Sequence, residues 1–380
     1  MLEFVDGNTA LLRAAIDAGC DFFAGYPITP ATSILLEAVR ELPPRGGVVV
    51  QGEDEIASIG MCLAAAMAGR KAMTASSGPG MSLFSETLGL AVMGEVPLVV
   101  VDVQRMGPAT GGATTSADGD VQFARWCAPG GYPIPVLAPT DVRSAYVVTR
   151  HAFNLAERLR TPVILLSSKE VAMTRQTVDL DAERDGIPVA TRTPFEGPGS
   201  YLPYHVARPQ DVPAFSPIGG EHPVRFTTSI HDERGEITSD ASRIAAKLTH
   251  LERKITEGTA GVVLADDDIQ DGAETLVVAY GVAAAAARDA VDDIRAGGGR
   301  VSLLTLFTLW PFPDRRVRAA ARGHARVVVP EHNFGQVARE VERAVHGAAV
   351  VPLQRVDGGM ISPSAIVGTV GAARPRTVRT

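Results

Sequence analysis

Short apolar runs alternate with segments of helical periodicity along most of this sequence. The runs at 22–26, 48–50 and 276–280 are examples, and the stretch after each has apolar residues three or four positions apart. The first helix is predicted to begin at a cap provided by Asn8. Strands that are apolar along their whole length have to be covered on both faces, as in a parallel sheet. The pattern predicts an α/β fold of parallel sheets with helices on both faces.

The alternation stops once, in a segment rich in proline, glycine, aspartate and arginine. We therefore predict an N-terminal α/β domain over residues 1–173 and an irregular covering or linker segment over 174–261, with a helix near its end. A smaller α/β domain is predicted over 262–380. A chain of 380 residues is long enough to bury two cores.

Charge and hydropathy exclude several classes of partner. The chain has 36 basic and 43 acidic residues, a net charge of -7, which provides no basic face for a nucleic acid. No apolar stretch approaches the roughly 20 residues that span a bilayer, and the first residues do not resemble a secretion signal. We expect a cytoplasmic protein that binds neither nucleic acid nor membrane.

The cysteines and histidines do not form a metal-ligand pattern. Cys20, Cys62 and Cys127 are isolated and too few to hold an iron–sulfur cluster, so each is predicted to be a small buried residue. His332, beside Glu331 after a predicted strand, is the histidine best placed for a function, although it could equally order a turn. No metal site is predicted on this chain.

The segment Tyr-Pro-Ile-Thr-Pro at 26–30 follows the first predicted strand. Thr29 is therefore expected at the carboxyl end of a sheet strand, where open α/β sheets bind ligands. A purely local explanation is equally simple, because threonine is a good helix cap and Pro30 suits a first helical turn. The residues themselves leave both interpretations open.

Three acids, Glu53, Asp54 and Glu55, open the helix after the next strand. The helix dipole favours acids in a first turn, which accounts for at least two of them. The rest of this helix is apolar, so a carboxylate that points inward would be desolvated, as functional carboxylates often are.

Two further turns come at strand ends. Ser77 and Gly78 lie in a glycine turn that could bring backbone close to a ligand, although such turns are more often merely tight. Arg105 precedes a loop of small residues and could bind a carboxylate through two parallel hydrogen bonds. The alternative is a surface arginine paired with Asp102 or Asp120.

The run Asp118-Gly119-Asp120 is not a magnesium and diphosphate motif. Thiamine enzymes use Gly-Asp-Gly followed by paired asparagines some way along the chain, whereas here Ala117 precedes the run and only Asn154 follows. If a diphosphate is bound, its metal has to be held elsewhere.

Taken in order, these segments resemble the alpha subunits of 2-oxoacid:ferredoxin oxidoreductases, most closely those of the 2-oxoglutarate class. The resemblance extends over almost the whole chain. It rests on Tyr26-Pro27-Ile28-Thr29-Pro30, Glu53-Asp54-Glu55-Ile56-Ala57, Ser77-Gly78-Pro79-Gly80, Glu95-Val96-Pro97, Arg105-Met106-Gly107-Pro108-Ala109-Thr110-Gly111, Tyr201-Leu202-Pro203-Tyr204, His231-Asp232-Glu233-Arg234-Gly235, Trp310-Pro311-Phe312-Pro313 and Glu331-His332-Asn333-Phe334-Gly335-Gln336.

The resemblance implies the pyrimidine-binding fold of thiamine-diphosphate enzymes for the N-terminal domain and a domain like the last one of transketolase at the C-terminus. It implies catalytic roles for three residues: Glu55 hydrogen-bonds the aminopyrimidine ring, and Thr29 and Arg105 contact the carboxylate of a 2-oxoacid. The other implied contacts are those of Pro27, Ile28, Ser77 and Gly78 with the cofactor and of Thr110 with the substrate.

The same resemblance implies partners. A beta subunit would carry the diphosphate-binding domain, its Mg²⁺ and a 4Fe–4S cluster, so this chain is expected to be inactive alone. The implied reaction oxidatively decarboxylates a 2-oxoacid, with 2-oxoglutarate favoured, to its acyl-coenzyme A and carbon dioxide, and passes electrons through the cluster to ferredoxin. The sequence departs from the family pattern at Ala109, Ala113 and Asp118, next to the implied substrate site, whereas Asp120 is retained.

Two alternatives follow from the same residues. One is a subunit of a non-oxidative thiamine-diphosphate decarboxylase or transferase, which a partner without a cluster would favour. The other is a non-catalytic scaffold subunit, against which the presence of Thr29, Glu55 and Arg105 argues.

Overall fold

The computed structural model describes residues 2–196, 199–259 and 262–372. Its strands are β1 (Glu3–Asp6), β2 (Phe22–Gly25), β3 (Val48–Gln51), β4 (Ala72–Ser76), β5 (Leu98–Gln104), β6 (Val136–Leu137), β7 (Pro162–Ser168), β8 (Arg175–Val178), β9 (Ala265–Asp268), β10 (Thr275–Tyr280), β11 (Ser302–Leu306), β12 (Thr308–Trp310), β13 (Arg326–Glu331) and β14 (Ala349–Gln354).

The helices connect these strands in the predicted alternation. They are α1 (Gly7–Asp17), α2 (Thr32–Glu41), α3 (Glu55–Met67), α4 (Pro79–Leu83), α5 (Ser85–Met93), α6 (Val121–Trp126), α7 (Val142–Leu159), α8 (Lys169–Met173), α9 (Leu180–Arg184), α10 (Ala241–Gly258), α11 (Ala283–Ala296), α12 (Asp314–Ala320), α13 (Gln336–Ala344) and α14 (Pro363–Gly371). Within these described residues, no helix is both long and apolar enough to cross a bilayer.

The first sheet has the strand order β12-β6-β7-β5-β4-β2-β3, and all its pairings are parallel except that of β12 with β6. Along β5, Leu98 and Val100 belong to one hydrophobic cluster and Val99 and Val101 to another. Successive side chains of a strand point to opposite faces, so both faces of this sheet are buried. The prediction of a parallel α/β fold is confirmed.

The second sheet has the order β14-β13-β10-β11-β9, with only β9 antiparallel. It is joined to the first sheet by β12, which lies later in the chain than β11 yet pairs with β6. The Trp310 side chain at the end of β12 donates a hydrogen bond from Nε1 to the Val121 carbonyl (3.0 Å). A single cluster of buried residues includes Val100 of the first sheet and Val329 of the second. The two sheets therefore share a core.

The segment that follows β8 has little regular structure before α10 begins. Helix α10 is attached to the first sheet through the buried carboxylate of Glu95, which accepts hydrogen bonds from Lys247 (2.7 Å), Lys254 (2.8 Å) and His250 (2.9 Å). The guanidinium of Arg160 donates to the backbone carbonyl of Glu95 and to three carbonyls of the irregular segment. Buried polar contacts thus help to hold this irregular segment against the first sheet.

Asn8 is not the cap of the first helix. Asp6 is the N-cap, and its side chain accepts a hydrogen bond from the Thr9 amide (2.8 Å). The prediction was wrong because both residues are good caps, and only the preceding strand β1, which pairs with β8, fixes where the helix begins. The short helix α6 inside the loop after β5 was also not predicted.

Candidate active site

The predicted site residues come together at one edge of the first sheet. They follow β2, β3, β4 and β5, which are neighbours in the sheet and run parallel. The carboxyl ends of parallel strands meet at a common edge, which is where α/β sheets bind ligands. The fold therefore places the loops that carry Thr29, Glu55, Gly78 and Arg105 next to each other.

Glu55 is the buried acid of the three that open α3. Asp54 is the N-cap and accepts a hydrogen bond from the Ala57 amide (2.8 Å), and both it and Glu53 are exposed. Glu55 is only 7% exposed. Its carboxylate has no hydrogen-bond partner anywhere in the described ranges. Capping of α3 therefore explains Asp54, whereas the carboxylate of Glu55 is free to hydrogen-bond a ligand.

The carboxylate of Glu55 faces the turn after β4. A Cβ atom at Gly80 would lie 2.6 Å from Glu55 Oε1 and 2.0 Å from Ser76 Oγ, so only glycine fits there. The hydroxyls of Ser76 and Ser77 are buried, and neither has a hydrogen-bond partner within residues 2–196, 199–259 and 262–372. Buried polar atoms are normally satisfied, so a set of unpaired ones at a sheet edge is suited to hydrogen-bonding a ligand.

Arg105 lies on the other side of the same turn. Its Nη1 donates to the Thr29 carbonyl (2.8 Å), and a Cβ atom at Gly78 would be 3.1 Å from its Nε. Gly78 and Gly80 are two residues apart, so their Cα atoms lie within about 7 Å. Glu55 and Arg105 are thus close to each other, on opposite sides of this turn.

Arg105 is not a surface arginine paired with Asp102 or Asp120. The residue is 5% exposed, and within the part of the chain that the structure describes no carboxylate oxygen lies within 4.0 Å of its guanidinium. The buried Nε–H also has no acceptor there. A buried guanidinium without a counter-ion is energetically costly, so this position is suited to binding an anion.

Thr29 is not a helix cap. Helix α2 begins at Thr32 after Ala31, without a side-chain cap, and the Thr32 amide donates to the Ile28 carbonyl (2.9 Å). The side chain of Thr29 is instead exposed at the sheet edge beside Arg105. The explanation of Thr29 as a helix cap is therefore wrong, because Pro30 and Ala31 still precede the first residue of α2.

Asn8 holds this loop in place, a role that the sequence did not reveal. The buried Nδ2 of Asn8 donates to the Pro30 carbonyl (3.1 Å) and to Ser33 Oγ (2.7 Å). The only signal in the sequence is a polar residue on the inner side of an apolar helix, which does not indicate its partner.

The remaining predicted residues lie around the same edge. Pro27 is exposed, and Ile28 is half-buried and packs against the core. Thr110 is exposed in the loop after Arg105, and the carbonyl of its neighbour Ala109 would be 3.8 Å from a Cβ atom at Gly78.

Two further acids, Asp118 and Asp120, are held near the end of β5 by Gln104. Gln104 donates from Nε2 to Asp118 Oδ1 (3.4 Å) and accepts from the Asp120 amide (3.1 Å). Burial, together with the charges of Asp120 and Asp118, holds the pKa of Asp102 well above its usual range. Burial and Asp118 raise the pKa of Asp120 to about 6, although Arg105 lowers it.

His332 orders the loop of the second sheet that contacts these acids. Its Nε2 accepts a hydrogen bond from the Ile361 amide (3.0 Å), and its Nδ1 lies 3.7 Å from Asp118 Oδ2. Asn333 donates to the Asp118 carbonyl (2.7 Å) and to the Tyr280 hydroxyl (2.7 Å). The second sheet thus supports the loop after Arg105.

The edge fits the pyrimidine end of thiamine diphosphate. Glu55 and the unpaired hydroxyls of Ser76 and Ser77 can hydrogen-bond a polar ring, and Gly80 allows Glu55 and Ser76 to lie close to the turn. Among the residues with a described position, no three His, Cys, Asp or Glu side chains are grouped so that they could hold a metal ion. The described residues at this edge are therefore suited to the pyrimidine end of the cofactor.

Comparisons with known proteins agree along most of the chain. Residues 13–257 match the family model of the pyruvate flavodoxin/ferredoxin oxidoreductase thiamine-diphosphate-binding domain, and residues 273–366 match core domain II of pyruvate:ferredoxin oxidoreductase. The chain is 40% identical to 2-oxoglutarate synthase subunit KorA of Methanothermobacter marburgensis, covering 94% of this chain and 95% of that one. It is 34% identical to ketoisovalerate oxidoreductase subunit VorB of Methanothermobacter thermautotrophicus, covering 94% of each chain.

Solved structures agree with this assignment. The 2-oxoglutarate:ferredoxin oxidoreductase of Magnetococcus marinus, solved with 2-oxoglutarate, coenzyme A and succinyl-coenzyme A bound, matches with a TM-score of 0.92 and 32% identity over 97% of this chain and 64% of that one. This chain thus spans less than two thirds of that solved chain. A split-gene transketolase, at a TM-score of 0.53 and 12% identity, shares the fold alone. The predicted thiamine-enzyme fold and the resemblance are confirmed, and the chain belongs to the thiamine-diphosphate-dependent 2-oxoacid:ferredoxin oxidoreductases, as a subunit of the alpha type.

Proposed function

We propose that this chain is the alpha subunit of a 2-oxoglutarate:ferredoxin oxidoreductase. One observation carries the proposal. Glu55 and Arg105 are both buried, and neither has an ion-pair partner in the described residues. They lie on opposite sides of the Ser77–Gly80 turn. The complex would oxidise 2-oxoglutarate to succinyl-coenzyme A and carbon dioxide.

Glu55 would hold the cofactor. Thiamine diphosphate supplies, when bound, a nucleophilic carbon that adds to 2-oxoacids and an electron sink for loss of carbon dioxide. The buried carboxylate would accept and return a proton at a nitrogen of the pyrimidine ring, a role for which positioned carboxylates are suited. Ser76 and Ser77 would complete the polar contacts, and the backbone of Pro27, Ile28 and Gly78 would line the ring.

Arg105 would bind the carboxylate beside the 2-oxo group. Its Nη1 is directed by the Thr29 carbonyl, and its free Nε–H faces the turn. A charge-assisted hydrogen bond in such a site contributes about 1.5–3 kcal/mol, more than a neutral one. The exposed hydroxyls of Thr29 and Thr110 would complete the contacts to the substrate.

A beta subunit would complete the site. It would supply the diphosphate-binding domain with its Mg²⁺ and the 4Fe–4S cluster that passes electrons to ferredoxin. This division is supported by the cysteines, all of which are buried. Burial raises the pKa of Cys20 and of Cys127 to about 12, which disfavours the thiolates that a cluster requires.

Anoxic purification of the tagged chain from its own host, followed by an assay of dye reduction, tests the proposal. We expect a second, iron–sulfur chain to copurify, and we expect dye reduction that requires both 2-oxoglutarate and coenzyme A. Activity with another 2-oxoacid would keep the class and change the substrate. A lone chain, or a complex inactive with every 2-oxoacid, would contradict the proposal.

A further inference from the structure

Two unpaired polar side chains lie side by side in the interior, just below the candidate site. Ser76 ends β4, and Asp102 is its register partner on β5. Neighbouring strands are about 4.8 Å apart, and paired residues present their side chains to the same face of the sheet. Both residues are 0% exposed. The Ser76 hydroxyl and both carboxyl oxygens of Asp102 are buried without a hydrogen-bond partner among the residues that the structure describes.

Ser76 is also a close neighbour of Glu55. A Cβ atom at Gly80 would lie 2.0 Å from Ser76 Oγ and 2.6 Å from Glu55 Oε1, so the two oxygens border the same point in space. Glu55 lies at the edge of the sheet, whereas Asp102 lies inside it. Ser76 is thus the neighbour that the two acids share.

Asp102 is placed to hold a proton rather than a charge. It follows Leu98 and Val100 on the face of β5 that contributes to a hydrophobic cluster. Within the described ranges neither of its oxygens receives a hydrogen bond. An ionised carboxylate in such surroundings is strongly disfavoured and takes up a proton instead. In agreement with this geometry, burial and the charges of Asp120 and Asp118 raise the pKa of Asp102 well above its usual range.

A proton on Asp102 decides which way the Ser76 hydroxyl points. A serine hydroxyl has a single hydrogen to donate, and an ionised carboxylate, which can only accept, would take it. A protonated Asp102 donates to Ser76 Oγ instead and leaves the serine hydrogen for the carboxylate of Glu55. The three groups then form a chain of hydrogen bonds with one direction, from the interior to the sheet edge, whose members strengthen one another.

We propose that Asp102, as a neutral acid, and Ser76 are positioning residues that hold the Glu55 carboxylate in place for the pyrimidine ring of thiamine diphosphate. The hydrogen bond from Ser76 occupies one oxygen of Glu55 and leaves the other for the ring nitrogen. Ser76 Oγ keeps a second lone pair for the ring. A carboxylate that is already held loses less freedom when a ligand binds, so cofactor affinity depends on the chain. This inference rests on the proposed role of Glu55.

Calorimetric titration of thiamine diphosphate and Mg²⁺ into the cofactor-depleted complex, together with kcat, tests the inference. Ser76→Ala and Asp102→Leu should each raise the Kd for thiamine diphosphate about 10-fold and lower kcat about 10-fold, because a hydrogen bond to a charged group is lost. The double variant should be no worse than either single one, since both substitutions break the same chain. Asp102→Asn keeps a donor for Ser76 and should stay within about 3-fold of the wild type.

Thr74→Val is the matched control. Thr74 lies on the same face of β4, two residues before Ser76, and its buried hydroxyl also has no partner in the part of the chain that the structure describes. Its removal should leave Kd and kcat unchanged. Denaturant unfolding distinguishes positioning from a structural role. Asp102→Leu replaces an unpaired polar group by an apolar one of the same shape, so the unfolding midpoint should not fall.

Wild-type Kd and kcat in Ser76→Ala or in Asp102→Leu, or losses that add in the double variant, would overturn the inference. Equal losses in Asp102→Asn and Asp102→Leu, or a lower unfolding midpoint that accompanies the lost activity, would do the same. Each of these results leaves the proposed function intact. A wild-type complex that binds thiamine diphosphate without oxidising any 2-oxoacid would instead overturn the proposed function.

Discussion

Glu55 and Arg105 are charged residues held in the interior without a counter-ion in the described structure. Such residues reduce stability, because burial removes their hydration and nothing in the chain replaces it. They are expected where a ligand supplies the missing interaction. The sheet edge is therefore organised for binding at some cost in stability.

Replacing Glu55 by glutamine tests the assignment of the acid. The amide keeps the shape but cannot exchange a proton with the cofactor ring, so we expect kcat to fall about 100-fold or more while assembly is retained. Glu53→Gln changes an exposed acid of the same run and should be nearly neutral. Both are measured by 2-oxoglutarate-dependent dye reduction, and full activity in Glu55→Gln would contradict the assignment.

Replacing Arg105 by lysine keeps the charge but removes the planar fork. The lysine ammonium cannot contact the Thr29 carbonyl and a carboxylate with the same geometry, so KM for the 2-oxoacid should rise about 10-fold or more. Arg158→Lys on the exposed side of α7 is the control. An unchanged KM in the Arg105 variant would mean that the substrate carboxylate binds elsewhere.

At the scale of single residues, the sequence identified candidates for the site without deciding among them. The helix dipole explains any acid in a first turn, so selecting Glu55 from Glu53, Asp54 and Glu55 required the position of β4. The partners of Asn8 lie 22 and 25 residues away in sequence, and no local pattern reports them. The resemblance named Glu55, Thr29 and Arg105, which the fold brings to one sheet edge, and their roles stay predictions.

At the scale of elements, α10 depends on one buried carboxylate. Burial raises the pKa of Glu95, but Lys247, Lys254 and His250 outweigh that effect and hold it well below its usual range. Glu95 also adopts a left-handed backbone conformation (φ 53°), which costs a non-glycine residue about 1 kcal/mol. Its charge network therefore has to compensate for both desolvation and backbone strain.

Glu95→Gln should lower the free energy of unfolding by about 3–5 kcal/mol, because buried cations lose their counter-ion. Glu257→Gln breaks an exposed pair with Arg253 on the same helix and should change stability by less than about 1 kcal/mol. Denaturant unfolding of the purified proteins measures both. Equal effects of the two substitutions would show that burial of the network has no energetic importance.

Glu95 also makes the free energy of unfolding depend on pH, in a direction that can be predicted. A depressed carboxyl pKa contributes stability above the pKa of the unfolded chain, about 4.3 for glutamate. That contribution is lost as the pH falls through the lower folded-state value. The stability difference between wild type and Glu95→Gln should therefore decrease in acid.

At the scale of the whole molecule, the second sheet supports the loop after Arg105. Asn333 joins the Asp118 carbonyl to Tyr280, and a Cβ atom at Gly358 would lie 2.4 Å from the Thr115 side chain. The C-terminal half thus fixes the loop that begins at Arg105. The alternation of strands and helices predicted both halves, whereas this contact depends on packing between residues far apart in sequence.

Asn333→Ala should loosen that loop without unfolding either sheet. We expect faster amide hydrogen exchange over residues 106–120 and a KM for 2-oxoacid raised about 3- to 10-fold, since local opening competes with binding. Exchange measured by mass spectrometry should leave β5 and β10 unchanged. Unaltered exchange in the loop would exclude Asn333 as its support.

Strand β12 has a consequence for whether the two halves of the chain can be separated. A break between the two halves would leave β6 with an open edge and would remove Trp310 from the core of the first half. Each product would then expose surface that favours aggregation. The two halves are therefore expected to be less stable as separate polypeptides than as one continuous chain.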